Sequence, residues 1–351
     1  MSVHRALPAL AAALLFGAST PLAKLLVGDI APLLLAGLLY LGSGIGLTLL
    51  LALRLIVRRD RSAAAPLAIP RRDIAWLIGA IVAGGMAGPA LLMAGLARSS
   101  AASTSLLLNL EGVFTALIAW IAFNENADRR IVLGMLAIVT GGVLLSWQPG
   151  SAAPSAGTLL VVGACLCWAL DNNLTRKVST NDAMLIACLK GLVAGACNTA
   201  LALAGGGTLP EHGALGAALL LGFVGYGISL ALFVVALRTL GTARTGAYFS
   251  VAPLFGVLLS IALWPSMPGL PFWAAALLMG FGVWLHLRER HAHMHAHEPL
   301  EHAHRHVHDE HHRHRHDFAW DGSEPHAHPH AHAVLRHRHP HYPDIHHRHG
   351  H

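Results

Sequence analysis

Charged residues are scarce in this sequence: only 12% of its 351 residues are Asp, Glu, Lys or Arg, whereas 54% are hydrophobic. Because a soluble domain carries about 25% charged residues, this composition excludes a soluble globular protein and indicates a polytopic membrane protein. The formal charge is +6. We expect no basic face on the protein, because Lys and Arg lie mainly between apolar runs and near the C-terminus. We therefore expect no nucleic-acid partner, and we expect membrane lipid to surround the protein.

Cysteine is also rare, with four residues at Cys165, Cys167, Cys188 and Cys197, all inside apolar runs. This position favours small core residues over a disulfide set or a metal site. No pairing of a nucleophile with a base is found in the sequence. We therefore expect neither an enzyme nor a required cofactor.

The apolar residues form ten runs of about 20 residues, the length that crosses a bilayer core of about 30 Å. They lie near residues 7 to 27, 32 to 56, 74 to 96, 101 to 122, 131 to 147, 157 to 175, 183 to 204, 213 to 237, 242 to 264 and 270 to 287. The runs lack the alternation of barrel strands, so they predict an all-α protein with ten transmembrane helices. Residues 1 to 23 imitate a signal peptide, but we expect them to be retained as the first helix.

Lys and Arg follow the even-numbered runs, whereas the loops after the odd-numbered runs hold none apart from Arg98. The positive-inside rule then predicts both termini in the cytoplasm and a multi-pass protein of the bacterial inner (cell) membrane. Both a monomer and a homodimer are compatible with the sequence.

Two stretches of the first half recur in the second. Phe16 to Lys24 (FGASTPLAK) aligns with Trp168 to Arg176 (WALDNNLTR), and Gly134 to Leu144 aligns with Ala275 to Leu285. The sequence thus predicts two five-helix repeats, residues 1–148 and 149–290. An odd number of helices per repeat makes the two copies inverted in the membrane, which is an architecture of secondary transporters.

Residues 97–143 (ARSSAASTSLLLNLEGVFTALIAWIAFNENADRRIVLGMLAIVTGGV) and 238–283 resemble the drug/metabolite transporter superfamily, and specifically its EamA-type members. The resemblance spans about residues 7–288 and implies ten helices that move a small solute. The family has a Pro in helix 4, followed by an acidic residue. Here Glu111 is assigned to the Pro position and Glu125 keeps the acidic one, whereas the second half retains Pro253 but lacks the acid.

A few polar residues interrupt the predicted helices and are candidates for substrate binding or coupling. Glu111 lies about 15 Å from either surface, so it is interpreted as a proton- or cation-coupling carboxylate, or else as a protonated packing residue. Asp171 and Lys190 lie at similar depth in adjacent helices and predict an ion pair, either functional or purely structural. The amides of Asn109, Asn172 and Asn173 suit a polar substrate or interhelical hydrogen bonds. Lys24 is expected to snorkel to the interface.

Residues 291–351 hold 23 of the 26 His and few apolar residues, so they predict a disordered cytoplasmic tail. Neutral imidazole binds zinc, nickel, cobalt and copper, and a flexible chain can gather several around one ion. The metal-ligand candidates are His291, His293, His295, His297, His302, His304, His306, His308, His311, His312, His314, His316, His326, His328, His330 and His332.

These observations leave several functions open. The leading one is a secondary transporter that moves a small solute by alternating access, with a tail that links it to Ni, Co or Zn transport or tolerance. The alternatives are a metabolite or drug exporter with an accessory tail, and a membrane-anchored metal sensor or store that transports nothing.

Overall fold

A computed structural model describes residues 7–57, 69–123, 129–147, 154–178, 183–240, 248–265 and 267–287, together with four strands between residues 292 and 340. The chain divides into two compact units, Met1–Glu289 and Arg290–His351. Glu125, His291, His308, His311, His312, His314 and His316 lie outside the described residues.

The described part of the first unit is helical. The helices are α1 Leu7–Leu26, α2 Pro32–Val57, α3 Arg71–Ala80, α4 Gly88–Ala97, α5 Ala101–Leu107, α6 Asn109–Phe123, α7 Arg129–Ser146, α8 Ala156–Val178, α9 Ala183–Ala204, α10 His212–Gly222, α11 Ser229–Leu240, α12 Ala252–Leu263 and α13 Leu270–Leu287. Two π-helical segments, Ile81–Ala87 and Phe223–Ile228, join α3 to α4 and α10 to α11.

The predicted membrane architecture is confirmed. Eight helical stretches of the described chain are long and apolar enough to cross a bilayer, and Ala252–Leu263 and Leu270–Leu285 form two shorter apolar helices. They correspond in order to the ten predicted runs. The described part of the first unit is thus an all-α polytopic membrane bundle.

The most extensive contacts join a helix of the first half to a helix of the second. Helix α2 packs on α9, α7 on α13, α4 on α8 and α1 on α12. At the α2–α9 crossing, a Cβ on either Gly44 or Gly191 would meet the backbone of the other. Small residues allow such close approach between membrane helices. The interior of this unit is therefore the boundary between its two halves.

The fourth predicted run is interrupted where a single helix was expected. A turn at Leu108 separates α5 from α6, and the Asn109 amide donates to the Leu106 carbonyl over 2.8 Å. A side chain that bonds to a nearby carbonyl competes with the regular helix pattern. In the register that matches Leu96–Phe114 with Leu237–Phe255, Pro253 corresponds to Gly112. This register of the two halves and the assignment of Glu111 to the Pro position differ by one residue.

The second unit contains four strands: β1 Ala292–His297, β2 Leu300–His306, β3 His326–His332 and β4 Leu335–Pro340. They form two antiparallel pairs, β1 with β4 and β2 with β3. This differs from the predicted absence of regular structure. The alternation of His with other residues has the two-residue period of a strand, and we expect two-stranded sheets of this kind to be marginally stable.

Candidate functional site

Asp171 of α8 and Lys190 of α9 form the predicted ion pair. The Lys190 Nζ lies 2.5 Å from Asp171 Oδ1 and 2.6 Å from Oδ2. The Thr175 hydroxyl donates to Asp171 Oδ1 over 2.8 Å, one turn along the same helix. Only 8% of the Asp171 side chain and 17% of the Lys190 side chain are exposed. Each buried charge is thus compensated by its partner, and the carboxylate has an additional hydroxyl donor.

The ion pair packs against the first π-helical segment at Gly84. A Cβ at this position would overlap the Asp171 carboxylate, so the glycine creates the space that the carboxylate occupies. The Gly84 carbonyl accepts two hydrogen bonds, from Tyr40 Oη and from Trp168 Nε1, both at 2.9 Å. A π-helical turn leaves carbonyls outside the regular ladder, and here two side-chain donors satisfy one of them.

Glu111 of α6 is linked to α8 beside this pair. The Asn172 amide donates to Glu111 Oε1 over 2.9 Å and lies 3.3 Å from Thr115 Oγ1. Since Asp171 and Asn172 are consecutive, the ion pair and the Glu111 carboxyl are two parts of one polar group. We call Glu111, Thr115, Asp171, Asn172 and Lys190 the polar group.

The polar group borders an open space within the helical unit. Leu159, Leu166 and Leu170 mark the exposed apolar face of α8, and Asn172 is exposed as well. At about 100° per residue, Asn172 lies about 200° from Leu170, on the opposite side of the helix. Its exposure therefore comes from a gap that faces other helices and not from the lipid.

The neighbouring helix α6 shows the same arrangement. Gly112 is exposed, and a Cβ on it would have no atom within 4 Å. Ile121, which is 71% exposed, lies nine residues further along. At about 100° per residue the two positions are about 180° apart. Gly112 thus faces away from the lipid-exposed side, beside Glu111.

The other two predicted amides have local roles in the structure. Asn173 is buried and donates to the carbonyls of Thr115 and Ala169, so it ties α8 to α6 and to its own preceding turn. Asn109 donates to Leu106 in the turn before α6. The structure brings neither of these amides to the gap, in keeping with the packing alternative.

Several contacts of the site were not anticipated from the sequence. Tyr40 and Trp168 hold the π-helical segment, and the buried Asn198 donates to the Met86 carbonyl within that segment over 3.1 Å. A polar residue inside an apolar run was the available signal for Asn198 and Tyr40. The sequence contains no specific signal for the π-helical geometry, because Gly-Gly inside a membrane helix equally indicates close packing.

In the ranges that the structure describes, no group of three or more His, Cys, Asp and Glu side chains is arranged to hold an ion. Ten of the candidates lie on β1, β2 and β3: His293, His295, His297, His302, His304, His306, His326, His328, His330 and His332. Metal binding at residues 291–351 stays a prediction.

Comparison with known proteins shows which family has this architecture. Residues 6–147 and 155–288 each match the EamA-like transporter family. An uncharacterized transporter of Methanothermobacter thermautotrophicus is 27% identical over 275 residues, which are 72% of this chain and 77% of that protein. The uncharacterized transporter YyaM of Bacillus subtilis is 23% identical over 184 residues, covering 50% of this chain and 60% of its own.

A solved crystal structure aligns with a TM-score of 0.59 at 18% identity, covering 80% of this chain and 96% of that one. This likeness concerns the fold alone. The two family matches together span most of the chain, one in each half. The protein therefore belongs to the EamA-like transporter family.

Proposed function

We propose that this protein is a secondary transporter of the bacterial inner membrane that moves a small solute by alternating access through the gap beside Glu111 and Asn172. The observation that carries the proposal is the exposure of Asn172 on the side of α8 opposite Leu170. A polar side chain that faces a gap between helices marks a hydrated path, because polar groups in lipid are costly. Inverted-repeat transporters hold their substrate at the same kind of boundary between halves.

In this proposal Glu111 is the coupling group. It lies in the path, and its hydrogen bond to Asn172 gives the amide a carboxyl partner when no solute is present. Binding and release of a proton at Glu111 would then change the hydrogen bonding of Asn172. Solute movement is thereby linked to a proton gradient.

Accessibility to a water-soluble thiol reagent tests the path without knowledge of the substrate. In a chain whose four cysteines are replaced by Ala, we expect Asn172→Cys to react with a maleimide, which needs a hydrated thiolate. Leu170→Cys, two residues away on the exposed apolar face, is the matched control and should stay unlabelled. Equal labelling of the two positions, or none at Asn172→Cys, would contradict a hydrated gap.

Transport itself is tested in two steps. A sensitivity panel of metals and metabolites on a deletion strain identifies the solute, and counterflow in proteoliposomes then measures its flux. We expect Glu111→Gln to abolish the pH dependence of flux, since the amide cannot release a proton. Flux that keeps the wild-type pH dependence in Glu111→Gln would remove the coupling role.

The histidine content of residues 291–351 favours a second component of the proposal, a link to Ni, Co or Zn through a cytoplasmic tail. Imidazole-rich segments bind such ions, and 23 of the 26 His lie there. Calorimetry of the full chain and of a chain ending at Arg290 should show metal binding only in the former. Equal heats from both proteins would refute a metal-binding tail.

The same truncation separates the functional alternatives. Unchanged solute flux without the tail indicates an exporter with an accessory segment. Loss of metal tolerance in cells, with no measurable flux from either protein, indicates a membrane-anchored metal sensor or store.

A further inference from the structure

A second region of the helical unit has the features of a ligand site and shares no residue with the polar group. It is a cavity of about 580 Å³ at the ends of α1, α7 and α12 and the starts of α5 and α13. Its lining includes Lys24, Ser100, Ser103, Ser260, Trp264 and Phe272. We call it the Lys24 cavity. Its volume falls within the range of about 300 to 1,000 Å³ that is typical of small-molecule sites.

Lys24 is the distinctive residue of this cavity. Its half-buried ammonium donates to the Leu96 carbonyl over 2.5 Å, which is a neutral acceptor. Among the lining residues that the structure describes, no other side chain is charged at neutral pH. Residues 148–155 (QPGSAAPS), which follow Trp147 in the sequence, also contain no Asp or Glu. The described part of the wall therefore has a cation without an opposing carboxylate.

The remaining wall is amphipathic. Ser100 and Ser103 contribute hydroxyl groups to the lining, whereas the Ser260 hydroxyl donates to the Gly256 carbonyl. Apolar surface comes from Trp264, Phe272, Ile261 and Leu145. A partly desolvated ammonium attracts an anion more strongly than a neutral group. Apolar and aromatic side chains favour a ligand with an apolar portion.

We infer that the Lys24 cavity binds a small organic monoanion that joins a carboxylate to an apolar or aromatic portion. The carboxylate would pair with the Lys24 ammonium and with the hydroxyls of Ser100 and Ser103. The apolar portion would pack against Trp264 and Phe272. The interpretation of Lys24 as a snorkelling residue is replaced by a ligand-binding role. The site defines a class of solute for the proposed transport function. Binding of the anion does not depend on that function, whereas movement of the bound anion across the membrane rests on it.

Equilibrium binding to the full chain in phosphatidylcholine nanodiscs tests the site with three probes of matched shape. These are phenylpropionate, phenylpropanol and phenylpropylamine. We expect phenylpropionate to bind about tenfold more tightly than the alcohol, because a charge-assisted hydrogen bond is stronger than a neutral one. The amine should bind more weakly than the alcohol. Equal affinity for the three probes would overturn the proposal.

Variants assign the preference to Lys24. Lys24→Gln should remove the preference for the anion, whereas Lys24→Arg should retain it. The matched control is Arg98→Gln, because Arg98 is exposed, donates to the Ala94 carbonyl and does not line the cavity. It should bind like the wild-type chain. An anion preference that persists in Lys24→Gln would also overturn the proposal.

Two further measurements keep the test decisive. Ala102→Trp fills the cavity without changing its charge, so it should weaken both the anion and the alcohol; unchanged binding in this variant places the site elsewhere. Phosphatidylglycerol nanodiscs should leave phenylpropionate binding intact, and loss of binding there would assign the cavity to anionic lipid. Anion binding without counterflow would contradict the transport proposal alone and would still support the binding site.

Discussion

Gly84 is the residue at which the packing of the site is tightest. Its missing side chain makes room for the Asp171 carboxylate, and its carbonyl accepts the hydrogen bonds of Tyr40 and Trp168. A single methyl group at this position would displace either the helix or the carboxylate. The ion pair thus depends on a residue that has no charge of its own.

We predict that Gly84→Ala destabilises the protein by about 1–3 kcal/mol, the usual cost of overpacking. The matched control is Gly112→Ala, since a Cβ at Gly112 meets open space and Ala is the better helix former. Thermal unfolding of the detergent-solubilised protein measures both. A midpoint for Gly84→Ala equal to that of Gly112→Ala would contradict the packing described.

The Asp171–Lys190 pair gives a second prediction at the residue scale. Asp171→Asn leaves the Lys190 ammonium buried without its carboxylate, which costs about 3–5 kcal/mol. The double variant Asp171→Asn with Lys190→Met removes both charges and should regain part of that loss. Unfolding midpoints of the wild type and of the two variants give the comparison. If the double variant were as unstable as the single one, the cost would not arise from an unpaired charge.

The two π-helical segments are the main feature at the scale of elements. In the repeat register Gly84 corresponds to Gly225, so each half carries its π-helical segment at an equivalent position. Each is contacted by an aromatic residue from the other half. Trp168 donates to Gly84, and the Phe16 ring lies 5.7 Å from that of Tyr226 in the second segment.

These equivalent contacts differ in chemistry. Phe16 aligns with Trp168 but has no hydrogen-bond donor, so only the segment of the first half receives an indole N–H. The two halves therefore share a backbone distortion and differ in how it is held. Such local departures from the α-helix often lie at functional sites.

We predict that Trp168→Phe destabilises the protein by about 0.5–1.5 kcal/mol, the net worth of one hydrogen bond. The control is Trp120→Phe, because Trp120 is 43% exposed. Thermal unfolding in detergent should show a lower midpoint for Trp168→Phe alone. A midpoint unchanged from the wild type would mean that the indole N–H adds no net stability to the π-helical segment.

At the scale of the whole molecule, the inverted repeat makes a prediction about topology. Reporter fusions at the C-terminus and within residues 124–128 should both report the cytoplasm, while a fusion within residues 148–153 should report the opposite side. The arginines that follow the even-numbered apolar runs are the physical reason. A C-terminus and a residue 126 on different sides of the membrane would exclude this arrangement.

Much of the molecule could be predicted from the sequence because the bilayer imposes simple constraints. The apolar runs must become helices of membrane length, and the alignment of Phe16–Lys24 with Trp168–Arg176 anticipated the relation between halves. Asp171 and Lys190 were expected to meet because depth in a membrane can be counted along a helix. The interruption at Leu108 was not anticipated, since it depends on a single amide that bonds to Leu106.

Sequence by itself determined the class of protein, the ten helices, their repeat and the few polar residues inside them. These follow from hydrophobicity and length, which are local properties. Only the tertiary structure decided that Glu111 meets Asn172, 61 residues away, that Gly84 accommodates Asp171, and that Lys24 faces a cavity. Those contacts depend on how far each helix is rotated and how closely it crosses its neighbours, which the packing of distant residues sets.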